Sequence, residues 1–308
     1  MLDKKRLVII DSNALVHRAF HALPPLTSPK GELVNAVYGF LLVFLKALKD
    51  MRPDCVAATF DLPGPTFRDK IYEEYKAKRV KAPDELYNQI PIIKRVLEAF
   101  GVPVFEKQGF EADDVIGTIA KHAKRKQIIP EIEVIIVTGD LDALRLVDKN
   151  TKVYTLKRGL SDTVIYDEQL VRERYDGLAP EQLTDYRALR GDPSDNIPGV
   201  TGIGPKTAIG LLKEFGSVDN IYKAIESGES KDLISLRIKE KLIAYKEQAL
   251  FSRALAEINT DVPIDFVLEQ CQCRPLDREK IIKIFQELGF YSLIKRLPES
   301  HQTKLGDF

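Results

Sequence analysis

The stretch Val134-Ile-Ile-Val-Thr-Gly-Asp-Leu-Asp142 carries five consecutive β-branched residues into a glycine and then two aspartates. Such a run, with no polar alternation, predicts a strand buried on both faces, the pattern of a parallel sheet covered by helices. Two other runs end the same way. Leu7-Val-Ile-Ile10 stops at Asp11, and Cys55-Val-Ala-Ala-Thr-Phe60 stops at Asp61. Further short apolar runs predict strands at 102–105, 152–156 and 163–166. Helical spacing predicts one helix over Asn35–Met51 and another after Asp84, where Leu86, Ile90, Ile93, Leu97 and Phe100 recur and Pro91 can kink the chain. A third begins at Glu111, with Ala112, Val115, Ile116, Ile119, Ala120 and Ala123 on one stripe. The expectation is an α/β fold, a mainly parallel central sheet flanked by helices. Strand signals fade near Ala179, so residues 1–180 read as the α/β core, 181–297 as a helical region and 298–308 as a tail.

In an open α/β sheet, ligands gather beyond the carboxyl ends of the strands. If the strands are parallel, Asp11, Asp61 and Asp140 converge there. Glu111-Ala-Asp-Asp114 opens a helix, Asp142 follows Asp140 by two residues, and Asp192-Pro-Ser-Asp195 adds another close pair. Any one of these acids is ordinary capping or turn chemistry. Nine together are not, because crowded like charges cost several kcal/mol unless cations compensate. Helical geometry keeps Glu111, Asp113 and Asp114 from sharing one face, so at least one of them is expected to act through water. Oxygen-only ligands select hard cations, Mg²⁺ or Mn²⁺, which suit phosphate chemistry. Two such ions about 4 Å apart would activate water and stabilise the leaving oxygen of a phosphodiester.

The 308 residues include 46 basic and 46 acidic side chains, so the formal net charge is zero. Nucleic-acid binders are usually basic. Setting nine clustered carboxylates aside leaves the rest of the molecule basic by nine, so a neutral total can hide two opposed fields. A composition 44% hydrophobic and 30% charged supports a sizeable core. Cys55, Cys271 and Cys273 cannot all pair internally and form no metal framework, which fits a reducing compartment. The first residues fit no signal peptide and the longest apolar stretch is too short to span a bilayer, so a soluble, cytoplasmic protein with no membrane partner is expected. His17 and His21 are spaced i, i+4 but lack companions for a zinc site, and no Gly-x-Ser-x-Gly elbow is present.

Two cationic elements accompany the acids. Tyr75-Lys-Ala-Lys-Arg-Val-Lys81 follows closely on Asp61, where Lys76, Lys78 and Arg79 could hold phosphate while Tyr75 stacks on a base. Gly199-Val-Thr-Gly-Ile-Gly-Pro-Lys-Thr-Ala208 looks like a phosphate-binding loop, but Pro205 precedes Lys206 and no buried strand leads into it. A glycine hairpin between two helices fits better. Gly202 and Gly204 would let the backbone approach a duplex phosphate, a helix N-terminus would present free N–H groups at Thr207, and Lys206 would add charge.

These residues resemble the flap-endonuclease-like 5′ nucleases, including the N-terminal 5′→3′ exonuclease domain of bacterial DNA polymerase I. The resemblance runs from Leu7 to about Leu297. It rests on Ile-Asp-Ser-Asn at 10–13, Asn-Ala-Val-Tyr-Gly-Phe at 35–40, Phe-Asp at 60–61, Pro-Thr-Phe-Arg at 65–68 and Tyr-Lys-x-x-Arg at 75–79. Glu-Ala-Asp-Asp at 111–114, Thr-Gly-Asp-Leu-Asp at 138–142, Asp-Tyr-Arg-Ala-Leu at 185–189, Gly-Asp-x-Ser-Asp-Asn at 191–196 and the hairpin complete it. It implies a PIN-like nuclease core with a metal cluster of Asp11, Asp61, Glu111, Asp113, Asp114, Asp140, Asp142, Asp192 and Asp195, holding two or more Mg²⁺ or Mn²⁺ ions. It implies a helical arch over residues 64–90, in which Lys76 and Arg79 act on the scissile phosphate and Tyr75 stacks. The hairpin would be the family's helix-three-turn-helix motif, gripping duplex DNA with a K⁺ ion. The implied reaction is metal-dependent hydrolysis at 5′ ends, nicks or flaps of DNA, including RNA-primed ends, by a monomer working with a DNA polymerase in cis or trans. The alternatives are a silent DNA-structure-binding module, which should lack a metal ligand, and a PIN-type ribonuclease, which should lack the arch and hairpin.

Overall fold

The computed structural model describes residues 4–125, 132–229, 233–297 and 305. Six strands form one sheet: β1 Arg6–Asp11, β2 Cys55–Thr59, β3 Val104–Phe105, β4 Glu133–Thr138, β5 Thr151–Arg158 and β6 Asp162–Tyr166. Their order is β3-β2-β1-β4-β5-β6, all parallel except β6, which returns antiparallel along β5. β1 thus lies between β2 and β4, with Asp11 opposite Thr59 and Ile10 opposite Val137. The three strands that end in aspartate are neighbours.

The helices are α1 Ser12–Ala22, α2 Asn35–Met51, α3 Phe67–Ile71, α4 Asp84–Tyr87, α5 Ile90–Ala99, α6 Ala112–Arg125 and α7 Glu168–Arg174. The helical half adds α8 Leu183–Arg190, α9 Pro205–Phe215, α10 Val218–Ser227, α11 Leu236–Ala244, α12 Lys246–Ala256, α13 Arg278–Glu287 and α14 Tyr291–Ile294. Alternate residues of each central strand enter opposite cores, which is why these runs show no polar alternation. Leu7, Ile9, Ala57, Val134 and Ile136 pack towards α6 and the helical half. Val8, Ile10, Val56, Ala58, Ile135 and Val137 pack towards α1, α2, α5 and α13. One buried cluster runs unbroken from the sheet into Leu183, Leu189, Leu211 and Leu242.

The helix expected after Asp84 is two helices. Gln89 lies between them with its side chain buried, and its Oε1 accepts from the N–H groups of Ala36 (2.8 Å) and Val37 (3.2 Å) at the start of α2. Pro91 in the first turn of α5 has no N–H to continue the preceding helix. The expected helical arch also differs. Only α3 and α4 are helical, and residues 72–83 between them run as turns and extended chain, with Lys76 left-handed at φ 55°. Thr66 and Asp69 cap each other at the start of α3, but Tyr72 is extended and ends it. The tail lies outside the described residues except for Leu305, which is buried. Among the described residues no helix is long and apolar enough to cross a membrane. Burial pushes the thiols of Cys55 and Cys271 up to about 11 and about 12.

Candidate active site

The carboxyl edge of the sheet opens into a cavity of about 650 Å³. Asp11, Asp61, Glu111, Asp113, Asp140, Asp142, Asp192 and Asp195 all line it. Several are held by backbone N–H groups. Asp11 caps α1, accepting from Ala14 N–H at 3.2 Å, while the Thr138 hydroxyl donates to its other oxygen at 2.5 Å. Asp61 accepts from Ala112 N–H at 2.6 Å, at the N-terminus of α6, and Asp140 accepts from Asp142 N–H at 2.8 Å. Asp192 exchanges two backbone hydrogen bonds of 2.8 Å with Ile197, which folds the loop after α8 back so that Asp195 also faces the cavity. Capping and ligation are therefore compatible, because a cap uses one lone pair of a carboxylate that has four.

Charge in the cavity is sharply divided. Burial pushes Asp11 up to about 7, against the Thr138 and Ala14 hydrogen bonds, and nearby Asp140 and Asp61 push the same way. Asp113 is raised well above the usual carboxylate range by burial and by Asp11 and Asp140. Burial also raises Asp61 and Asp140. Asp142 goes the other way: burial would raise it, but Arg145 and Arg187 outweigh burial and hold it low. Arg187 bridges Asp142 (2.5 Å) and Asp192 (2.6 Å). Asp142, Asp192 and Asp195 each offer a carboxylate oxygen, all within 4.8 Å of one another. Several buried carboxylates raised by burial and then by mutual repulsion, presenting oxygen donors only, fit a hard divalent cation.

Family models for the 5′-3′ exonuclease match residues 6–176 (N-terminal resolvase-like domain) and 178–279 (C-terminal SAM fold). The chain belongs to the 5′-3′ exonuclease family. It is 39% identical to a 5′-3′ exonuclease of Aquifex aeolicus over 95% of both chains. It is also 42% identical to DNA polymerase I of Bacillus subtilis, covering 97% of this chain and 33% of that protein, so it spans about a third of the polymerase relatives' length. Among solved structures, the bacteriophage T5 flap endonuclease in a product complex with DNA and metal ions matches at TM-score 0.67. That match has 19% identity and covers 94% of this chain and 98% of that one.

Against the family's implied site, Asp114 is the exception. It is fully buried, and both its oxygens are taken by Arg68 at 2.8 Å each, by Glu111 N–H at 3.1 Å and by Asn259 N–H at 2.8 Å. It does not line the cavity. One residue after Asp113 on α6, it points about 100° round the helix, away from the cavity and into the core. Tyr75 does line the cavity: only 5% exposed, it packs with Ile197, Leu255 and Ala256, and its hydroxyl donates to Glu111 at 3.3 Å. Lys76 lies at the cavity, 2.6 Å from Glu111, and Arg79 pairs with Asp195. Lys78 is exposed and outside the cavity lining. Gly202, Gly204 and Lys206 are exposed on the hairpin, and Thr207 is half-buried.

The expectations assigned no role to Arg68, Arg145 and Arg187, although Arg68 and Arg187 stand inside quoted motifs. Arg68 is 2% exposed and also donates to the carbonyls of Leu255 (2.9 Å) and Glu257 (2.6 Å), tying α3 to α6 and the end of α12. A guanidinium's burial has no signature in local sequence; only its place in the Pro-Thr-Phe-Arg motif hinted at it.

Proposed function

We propose that this chain is a divalent-metal-dependent, structure-specific 5′ nuclease that hydrolyses DNA phosphodiesters at 5′ ends, nicks and 5′ flaps. The observation that carries this reading is the meeting of eight carboxylates with Lys76, Arg79, Arg145 and Arg187 around one open cavity. The carboxylates would hold two or more Mg²⁺ or Mn²⁺ ions, which when bound supply positive charge and Lewis acidity at the scissile phosphate. Asp142, Asp192 and Asp195 bring carboxylate oxygens within 4.8 Å of one another, and Asp11 and Asp140 lie at the ends of neighbouring strands. In this reading Lys76 and Arg79 leave their carboxylate partners to meet the phosphate and offset charge that develops on its oxygens. The hairpin residues Gly202, Gly204, Lys206 and Thr207 grip the duplex backbone without reading bases.

The same reading makes the partner DNA, including RNA-primed ends, with a DNA polymerase in cis or trans, and the working form a cytoplasmic monomer. Residues 1–180 then carry most of the chemistry, with Asp192 and Asp195 added from 181–297, the region that supplies most of the duplex grip. The direct test uses labelled 5′-flap, nicked and single-stranded DNA, and RNA, in Mg²⁺ or EDTA, with Asp140→Asn as control. Flap cleavage that EDTA and Asp140→Asn both abolish, with flap binding kept within severalfold, is expected. Turnover by the variant above a tenth of wild type would remove Asp140 from the reaction.

A further inference from the structure

The segment carrying Lys76 and Arg79 is held to the rest of the molecule by two kinds of bond. Its side chains pair with Glu111 and Asp195, and in the proposed reaction those pairs are given up to phosphate. Its backbone is held separately. Lys76 N–H donates to the Asp195 carbonyl at 3.0 Å, and Asn196 Nδ2 donates to the Glu74 carbonyl at 2.8 Å, so one bond runs each way across the junction. Lys76 and Asn196 are both left-handed, at φ 55° and 58°. A left-handed lysine is strained and persists only where its surroundings hold it.

The loop bearing Asn196 is in turn joined closely to the glycine hairpin. Asp192 and Ile197 close it with their two backbone bonds, and a Cβ on Gly199 would lie 2.2 Å from Gly191 N, so the two ends of the loop meet backbone to backbone. Gly199 opens the hairpin and donates its N–H to Ser252 Oγ of α12 at 3.0 Å. Two residues, Ile197 and Pro198, separate it from Asn196, and Ile197 packs on Tyr75.

We propose that Asn196 is a positioning residue: it ties the backbone of the Lys76 segment to the loop that leads into the hairpin, so that a duplex seated on the hairpin is in register with the cations that act on its phosphate. The inference rests on the proposed reading of the reaction and of the hairpin. Asn196 does not line the cavity, so its amide acts through Lys76 and not on the substrate. Bonds to the main chain leave the Lys76 and Arg79 heads free to turn from carboxylate to phosphate while the chain beneath them stays docked. A 5′ end with no duplex to seat gains nothing from this registration, which gives Asn196 a part in the preference for structured ends.

The test uses Asn196→Gly, which keeps the left-handed backbone and removes the amide, and Asn196→Asp, which keeps the side chain's size and removes its donor. Single-turnover rates in Mg²⁺ on a 5′-flap duplex should fall about tenfold in both, the worth of one hydrogen bond, with flap affinity in EDTA and the rate on single-stranded 5′ ends each within about twofold of wild type. An equal fall on both substrates, or no fall on the flap, overturns the proposal. A reporter decides the tie without catalysis. The chain has no tryptophan, and Ala77 is exposed and donates its N–H to the same Glu74 carbonyl at 3.1 Å, so Ala77→Trp supplies a lone fluorophore beside the tie. In EDTA and without DNA its anisotropy should be lower when Asn196→Gly or Asn196→Asp is added, and an unchanged anisotropy overturns the proposal. If wild type cleaved no DNA, the reading of the reaction would fall, and the anisotropy would still decide whether Asn196 holds the segment.

Discussion

Asp11 serves the backbone with one oxygen and the cavity with its position, and its proton reports the tension between the two. Its carboxyl is pushed from 3.8 to about 7, chiefly by burial, so in metal-free protein it keeps its proton in the folded state where the unfolded chain has lost it. A raised carboxyl stabilises below its ordinary value, and that contribution is lost as pH rises from about 4 to about 7. In EDTA, Asp11→Asn should therefore gain on wild type across that window, read as the difference in melting temperature at pH 5 and pH 7.5. A constant difference would show that Asp11 titrates normally. Neighbouring Asp113 and Asp114 should behave oppositely. Burial, together with Asp11 and Asp140, disfavours the charge on Asp113, so Asp113→Asn should raise the metal-free melting temperature and blunt the response to Mg²⁺. Asp114→Asn takes from the buried Arg68 guanidinium its closest carboxylate and leaves it Glu111 at 3.3 Å, which costs up to about 3–5 kcal/mol, and should leave the Mg²⁺ response intact. Equal behaviour of the two in melts with and without Mg²⁺ would contradict the separation of their roles.

The two cationic elements differ in how they are held, and that sets what their loss should do. The segment between α3 and α4 is drawn onto the acids through Lys76 to Glu111, Arg79 to Asp195, and Lys76 N–H to the Asp195 carbonyl at 3.0 Å. In the proposed reaction Lys76 meets the scissile phosphate, so Lys76→Ala should lower the single-turnover rate about 10²–10³-fold with little change in flap affinity. Lys206 stands exposed at the start of α9 and would meet only a backbone phosphate. Lys206→Ala should weaken duplex binding and reduce the salt dependence by about one unit of slope, sparing the rate on bound substrate. Single-turnover rates and salt titrations on both variants separate the assignments. A purely affinity-based defect in both would remove Lys76 from the chemistry.

For the whole molecule, zero net charge conceals strong local fields, among them a cavity lined by eight carboxylates and by Arg18, Arg68, Lys76, Arg79, Arg145 and Arg187. Because binding would follow local fields, duplex affinity should fall with salt by at least about a hundredfold between roughly 50 and 200 mM despite the neutral total. A flat salt response would mean that the cationic elements do not meet the DNA backbone. The carboxylates should also make the fold depend on ions. Saturating Mg²⁺ at about 100 times its dissociation constant should stabilise wild type by about 2.7 kcal/mol, seen as a higher melting temperature than in EDTA.

The sheet was legible because apolar period and termination are local properties. Runs such as 7–10 and 134–138 can be buried on both faces only in a covered parallel sheet, and their aspartates then fall on one edge. For the same reason the glycine hairpin and the acidic clusters could be found in the chain itself. Local sequence could not say which way each acid faces. Asp113 and Asp114 are adjacent and chemically identical, and only the packing of α6 against α3 and the end of α12 sends one to the cavity and the other to Arg68. Nor could it place Gln89 as the cap of α2, Tyr75 beside Glu111 or Asn196 against Glu74. Those partners lie 36 to 122 residues apart in the chain, and their pairing energies exist only once the sheet and helices have brought them together.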